Sequence, residues 1–195
     1  MFFDNTLVTV TIDQAIGQAD PIGVNPMNFT VVFSEPIDPT TFTASDILFS
    51  GTSIGVVAAP PTSLDNITWT VAAFASAPGT IIATIPSNAI MNLTVRTNSA
   101  STSVDNQITF DNVAPTVTID EAITQQDPTN ANPVNFTVVF SEPINPTTFT
   151  ASDITITGTA TIIPVIKKNP FASCLSRCLF VLWMNGARPE WLMVY

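Results

Sequence analysis

The chain has 195 residues, of which 46% are hydrophobic and only 10% charged, and its formal net charge is −10. An acidic surface repels nucleic acid and anionic lipid, so neither is expected as a partner. There is no histidine, which excludes His-based catalysis, and there is no run of 18 apolar residues that would insert into a membrane as a helix.

Short segments in which apolar and polar residues alternate follow one another from residue 7 to residue 110. Alternation is the pattern of half-buried β-strands, and in the first segment Val8, Val10 and Ile12 share one face that is expected in the core. Sixteen prolines and frequent Asn and Asp supply turns between the segments. The predicted strands are Leu7–Ile12, Met27–Ser34, Ile47–Ser50, Ile54–Ala58, Ile67–Ala73, Gly79–Ile85 and Gln107–Phe110.

The connections between these strands differ in length and character. Asp13–Pro26 contains two Asx-Pro pairs and two glycines and is expected to be a loop. Thr40–Asp46 is expected to be a short helical turn or loop. Asn88–Asn106 is a long polar connection, in which a short strand is predicted around Leu93–Val95.

The first part of the sequence occurs twice, with an offset of 107 residues. Residues 3–52 and 110–159 are identical at 36 of 50 positions, and Asn28–Asp46 recurs at Asn135–Asp153 with Asp38 replaced by Asn145. A fixed period of this kind indicates a tandem array of one structural unit. Seven short strands in about 105 residues, separated by frequent turns, indicate an all-β fold built of immunoglobulin-like antiparallel β-sandwich repeats.

The repeat also predicts the domain boundaries. A complete unit is expected at residues 6–113, and residues 1–5 are interpreted as the end of an upstream repeat because Phe3-Asp4-Asn5 matches Phe110-Asp111-Asn112. A second, truncated repeat is expected at residues 114–166, after a short linker that includes Pro115. Residues 167–195 have no counterpart in the first repeat.

The tail at residues 167–195 differs in composition from the rest. It carries both cysteines, two of the three tryptophans and four of the five basic residues, so its net charge is +3 against −13 for residues 1–166. A frameshifted or misassembled gene end and a genuine C-terminal extension are both open explanations. Either way, the second repeat would lack its last three strands and expose unpaired edges. Cys174 and Cys178 alone supply too few ligands to predict a metal site.

Two motifs suggest a family. The pattern FTVVFSEPI…TFTASDI…G and the segment ASTSVDNQITFDNVAPTVTID resemble the bacterial Ig-like repeats of large secreted and surface proteins. That resemblance covers about residues 3–163. It implies adhesins, cell-envelope stalks or spacer modules of extracellular enzymes, in an extracellular or cell-surface location.

The acidic residues predict a calcium site at the junction between repeats. Strand direction would bring them to one end of the sandwich, and Ca²⁺ takes 6–8 oxygen ligands from such side chains. The alternative is that they are turn and cap residues: Asx turns at Asp13 and Asp111, caps at Asp46 and Asp153, and solvated loops at Glu35 and Glu142. The candidate ligands are Asp13, Asp20, Asp111, Asn112, Glu142 and Asp153, with Asp4, Glu35 and Asp46 at the equivalent upstream junction.

Two other kinds of site are weaker candidates. Glu35 and Asp38 resemble an acid/base pair, but Asp38 is Asn145 in the second copy and the pair sits on a proline-flanked loop, so no enzyme is predicted. Trp69 is the one candidate for stacking on a ligand, and its alternating strand position favours the core instead.

The sequence therefore predicts a non-catalytic structural or adhesive module of an extracellular bacterial repeat protein, with calcium as its one candidate cofactor. Its expected partners are neighbouring Ig-like repeats and a host or cell-surface glycan or protein. The alternative is a spacer or ligand-binding accessory module of a large secreted enzyme.

Overall fold

A computed structural model describes residues 6–129, 133–158 and 192–194. The chain divides into two compact units, Met1–Val113 and Ala114–Tyr195. Within the described residues the regular structure is β-strand with two single 3₁₀ turns, and no helix there is long and apolar enough to cross a membrane. The predicted all-β class is confirmed.

Twelve strands lie in the described residues, and wherever two of these strands are hydrogen-bonded neighbours they run antiparallel. The two 3₁₀ turns are Ala44–Asp46 and Ala151–Asp153, which are related by the 107-residue offset. The strands are β1 Val10–Gln14, β2 Met27–Phe33, β3 Leu48–Gly51, β4 Val57–Ala58, β5 Thr62–Ser63, β6 Thr68–Phe74, β7 Gly79–Thr84, β8 Gln107–Phe110, β9 Val117–Glu121, β10 Phe136–Phe140, β11 Ile156–Gly158 and β12 Leu192–Val194.

The first unit has two sheets around one core. One sheet has the order β1-β2-β6-β4, with β5 also paired to β6, and the other has the order β3-β7-β8. Phe29 of β2 contacts Phe49 of β3 across the core, with ring centroids 6.3 Å apart. The predicted inward faces are confirmed, since Val8, Val10 and Ile12 are at most 2% exposed. Alternation therefore identified the buried face correctly, since one face is buried and the other left to solvent. The bounds were less accurate, because the strand predicted at Leu7–Ile12 runs from Val10 to Gln14.

An irregular segment, residues 97–105, covers the outer edge of β1. Backbone hydrogen bonds run from Ser99 N to Val8 O (2.9 Å), from Thr102 N to Val10 O (3.0 Å) and from Gln14 N to Asp105 O (2.6 Å). The bridge between Val8 and Asn98 is parallel. An edge that would otherwise offer unpaired backbone groups to another chain is thus closed within the unit.

The short strand predicted around Leu93–Val95 is wrong, because these residues form a turn. Asn92 Oδ1 accepts hydrogen bonds from the N–H groups of Thr94 (3.0 Å) and Arg96 (2.8 Å). Asn92 N in turn donates to Arg96 O at 2.9 Å. Val95 has φ +65°, a left-handed conformation that is unusual for a β-branched residue. The side chain of Asn92, which sequence alternation does not consider, decides the local structure.

The second unit repeats the first hairpin in the same register. Val117 pairs with Phe140 and Ile119 with Val138, as Val10 pairs with Phe33 and Ile12 with Val31. After the 3₁₀ turn, β11 pairs with β12. The unpaired edge expected after the third strand of this repeat is therefore occupied at Ile156–Gly158. Residues 1–5 and most of the tail, including Cys174 and Cys178, lie outside the described residues.

Candidate functional site

Asp13 ties β1 to the segment that covers it. Its Oδ1 accepts hydrogen bonds from the backbone N–H groups of Val104 and Asp105, both at 2.9 Å. These partners are 91 and 92 residues away in sequence, so the Asx turn expected at Asp13 is wrong. The carboxylate thus accepts from two backbone N–H groups of an irregular segment that forms no β-strand.

Asp20 and Asp111 hold the loop between β1 and β2 against the end of β8. Asp20 Oδ1 accepts from Thr109 N at 2.8 Å, and Asp111 Oδ1 accepts from Val113 N at 3.1 Å, the expected Asx turn. Backbone bonds from Ile22 N to Thr109 O and from Asp111 N to Ile22 O, both 2.9 Å, join the two segments. The three carboxylates of Asp13, Asp20 and Asp111 therefore bond to residues 104–113, at the end of the unit where β8 finishes.

Asp46 and Asp153 cap the two 3₁₀ turns, as expected. Asp46 Oδ2 accepts hydrogen bonds from the backbone N–H and the hydroxyl of Thr43, both at 2.7 Å. Asp153 Oδ2 makes the same pair of bonds with Thr150, at 2.8 and 2.9 Å. The Thr150 N–H, followed by the Thr150 hydroxyl, holds the pKa of the Asp153 carboxyl below its usual value.

Glu35 lies in a half-buried ion pair rather than a solvated loop. Both of its carboxylate oxygens accept from Nη2 of Arg96, the first at 2.6 Å, and the two side chains are 31% and 21% exposed. Arg96 Nη1 also donates to Thr6 O at 3.1 Å. One guanidinium thus joins the start of the unit, the loop after β2 and the turn at Asn92.

The remaining candidate ligands have less structure around them. Asn112 is exposed and Glu142 is half-buried, with no ion pair to another described residue. Asp4 lies outside the described residues. Among the residues that the structure describes, no group of three or more Asp, Glu, His or Cys side chains could hold a metal ion.

The two carboxylates that resembled an acid/base pair have separate partners. Glu35 binds Arg96, whereas Asp38 Oδ1 accepts from the hydroxyl and the N–H of Thr40, at 2.7 and 2.9 Å. The Thr40 hydroxyl, followed by its N–H, lowers the pKa of Asp38. Asn145 makes the same two bonds with Thr147, at 2.8 and 3.0 Å. An amide and a carboxylate therefore both serve as the acceptor in this turn.

Trp69 belongs to the core, as its strand position predicted. It is 4% exposed and meets Phe42 edge to face, with ring centroids 5.2 Å apart. Phe42 in turn meets Phe33 in the same manner at 5.4 Å. The indole cannot stack on an external ligand in this position.

Sequence reasoning missed two residues that organise the unit. Arg96 has one available signal, since it is the sole basic residue in the first 166. Asn98 is fully buried, and its Oδ1 accepts from Ala89 N and Ile90 N while its Nδ2 donates to Pro86 O and Ser99 O. A lone Asn in a polar connection carries no sequence signal for such a role.

No family model, curated protein or solved structure matches this chain.

Proposed function

We propose that this chain consists of tandem immunoglobulin-like repeats that act as a non-catalytic structural and adhesive module of an extracellular bacterial repeat protein. The strand order supports the immunoglobulin type. Counting β1, β2, β3, β4, β6, β7 and β8 of the first unit as strands A to G, the sheets are A-B-E-D and C-F-G. This is the arrangement of constant-type immunoglobulin domains.

The observation that carries the structural role is the path of the backbone through the first unit. The chain comes in at Val8 beside Asn98, and it leaves at Phe110, five residues beyond the pairing of Gln14 with Asp105. The two terminal segments run parallel between these points. A pull on the two ends therefore moves residues 8–14 and 97–105 in opposite directions along their length.

Several hydrogen bonds would resist that pull together. Besides the backbone bonds of Ser99, Thr102 and Gln14, Ile12 N donates to Ser103 Oγ at 3.2 Å, and Asp13 accepts from the N–H groups of Val104 and Asp105. Because these bonds lie across the direction of loading, all of them must break before the unit opens. Forced unfolding is governed by the unfolding rate. The set of bonds between residues 8–14 and 97–105, which we call the seam, therefore suits a stalk under load.

Single-molecule stretching of the whole chain tests this role. The first unit is expected to unfold in one step, with a length gain of roughly 300–350 Å. Asp13→Ala removes two charge-assisted bonds from the seam and should raise the unfolding rate under force about 10- to 100-fold.

Asp65→Ala is the matched control for this experiment. Asp65 Oδ1 accepts from Ile67 N, Thr68 N and Ser63 Oγ in the turn before β6, outside the seam. The Asp65→Ala variant should lower the equilibrium stability while leaving the unfolding rate under force nearly unchanged. Equal effects of the two variants under force would show that the bonds between residues 8–14 and 97–105 do not resist the pull.

The adhesive part of the proposal needs a partner on another surface. A glycan array and adhesion of beads coated with the chain test it directly. Binding by a stacked aromatic would favour the alternative, an accessory module of a secreted enzyme, but burial of Trp69 removes the one aromatic that the sequence suggested for it. If the chain shows neither glycan binding nor adhesion, only the stalk or spacer role remains.

Calcium is a separate hypothesis within this proposal. Asp13, Asp20 and Asp111 each use one oxygen for backbone N–H groups. They do not form a ready three-carboxylate site among the described residues, so the hypothesis rests only on the second oxygen of each being a potential ligand. Calcium at millimolar concentration should then raise the melting temperature, and Asp111→Ala should abolish the rise while Asp65→Ala preserves it. No rise in the parent chain would exclude a stabilising site.

A further inference from the structure

The second unit has a strand, β12, in a position that the repeat alone does not explain. Leu192–Val194 lies in the tail, whose sequence has no counterpart in the first repeat. It nevertheless pairs antiparallel with β11, the third strand of the second unit. In the first unit the equivalent strand, β3, pairs antiparallel with β7.

The registers of the two pairings correspond residue by residue. Gly51 pairs with Ile81 in the first unit, and its counterpart Gly158 pairs with Leu192 in the second. Ser50 pairs with Ile82, and its counterpart Thr157 pairs with Met193. Leu192, Met193 and Val194 thus take the register positions of Ile81, Ile82 and Ala83.

The spacing along the chain agrees with the register. Gly51 and Ile81 are 30 residues apart in sequence, and Gly158 and Leu192 are 34 apart. A difference of four residues is the size of a loop insertion, which surface connections tolerate at small cost. The tail therefore delivers an apolar segment to the third strand at nearly the point where a true repeat would deliver its own.

We infer that Leu192–Val194 acts in the second unit as a substitute for the counterpart of β7, paired with the edge of Ile156–Gly158. The physical requirement is pairing of the backbone, because a strand edge left open exposes N–H and C=O groups that recruit other chains. A substitute strand needs β-forming apolar residues and free N–H groups, but it does not need the sequence of the strand it replaces. This explains how an unrelated tail can complete a repeated fold.

Hydrogen exchange on the full chain tests the inference, because the first unit supplies an internal reference. Met193→Pro removes a backbone donor from the middle of β12 and should disrupt its pairing. Exchange at the amides of Ile156–Gly158 should then rise at least about tenfold, while exchange at Leu48–Gly51 stays at the parent rate. Met193→Val keeps a strand-forming residue and should leave both segments unchanged.

A chain that ends at Glu190 provides a second variant, which removes β12 altogether. It should reproduce the faster exchange at Ile156–Gly158. Loss of protection across β9 and β10 in the proline variant and in the shortened chain would also support the inference, provided that Met193→Val keeps these strands protected. The proline and valine variants differ in whether residue 193 can form a strand. Parent-like exchange at Ile156–Gly158 in either the proline variant or the shortened chain would overturn it.

Discussion

The two units contain the same first hairpin in two different settings. In both, β1 and β9 begin beside a serine that accepts from a threonine N–H, at 3.0 Å for Thr9 and Ser34 and 2.9 Å for Thr116 and Ser141. Yet Val10 is 2% exposed, whereas its counterpart Val117 is 51% exposed. Local pairing is thus encoded within the repeated sequence, while burial depends on the segments that follow it.

The source of the difference is visible in the first unit. Residues 97–105 lie along β1 there, and β6 lies along β2. In the described part of the second unit, β9 and β10 form a two-stranded sheet. A two-stranded hairpin is marginal by itself, since it needs further strands to bury a face. The second half of the first repeat therefore supplies the neighbours that bury its first hairpin.

The largest expected effect comes from truncating the same phenylalanine in each unit. Phe29 is fully buried, and its counterpart Phe136 is 8% exposed in a smaller cluster. Phe29→Ala should destabilise the first unit by about 3–5 kcal/mol, and Phe136→Ala should destabilise the second by less, about 1–3 kcal/mol. Hydrogen exchange at β2 and β10 measures the two units separately, and equal losses would break the comparison.

The ion pair at Arg96 should give the next largest effect. Arg96→Ala leaves Glu35 half-buried without its cation, and we expect a loss of about 1–3 kcal/mol in the first unit. Glu142→Gln is the matched control in the second unit, where no described residue forms an ion pair with Glu142, and it should change stability by less than about 0.5 kcal/mol. A double-mutant cycle of Glu35→Gln and Arg96→Ala isolates the coupling.

A smaller gain is expected from relieving the turn at Val95. The left-handed conformation of this residue disfavours a β-branched side chain. Val95→Gly should therefore stabilise the first unit by about 0.5–1 kcal/mol, even though glycine raises the entropy of the unfolded chain. Asn88→Gly is the control, because Asn88 has φ +61° and asparagine tolerates that region. An equal gain in both variants would point to a cause other than the side chain of Val95.

The elements that the sequence predicted well are those with local causes. β8 was predicted at its observed bounds and β2 to within one residue, because alternation and flanking turn residues lie within the strand itself. The Asx turn at Asp111 and the cap at Asp46 also involve partners two or three residues away. Such signals are readable in a single sequence.

The features that were missed depend on partners far apart in the chain. Glu35 and Arg96 are 61 residues apart, and Asp13 and Asp105 are 92 apart. Apart from Arg96 being the sole basic residue in the first 166, nothing in the composition of these segments indicates their partners. The same holds for β12, whose pairing with β11 follows from the spatial position of an edge and not from any repeated motif.

The smallest effect separates the units by charge alone. Asp38 and Asn145 make the same two bonds to a threonine, but only Asp38 can titrate. The bonds to Thr40 lower the pKa of Asp38 below the ordinary 3.8. A lowered pKa means that the folded state favours the carboxylate. The contribution of this carboxylate to stability is therefore fully present above the ordinary 3.8 and is lost as the pH falls through the lower, folded-state pKa.

Nuclear magnetic resonance can follow this difference in one sample. During an acid titration, the amide signal of Thr40 should move with a midpoint below 3.8, whereas that of Thr147 should not titrate. Asp38→Asn should make Thr40 behave as Thr147 does, because the amide oxygen accepts the same two bonds but does not titrate, and the acid-dependent contribution of this turn to stability should disappear. If the amide signal of Thr147 moved together with that of Thr40, the titration would report an acid-induced change in the structure of both units. The difference between Asp38 and Asn145 would then not account for the behaviour of Thr40.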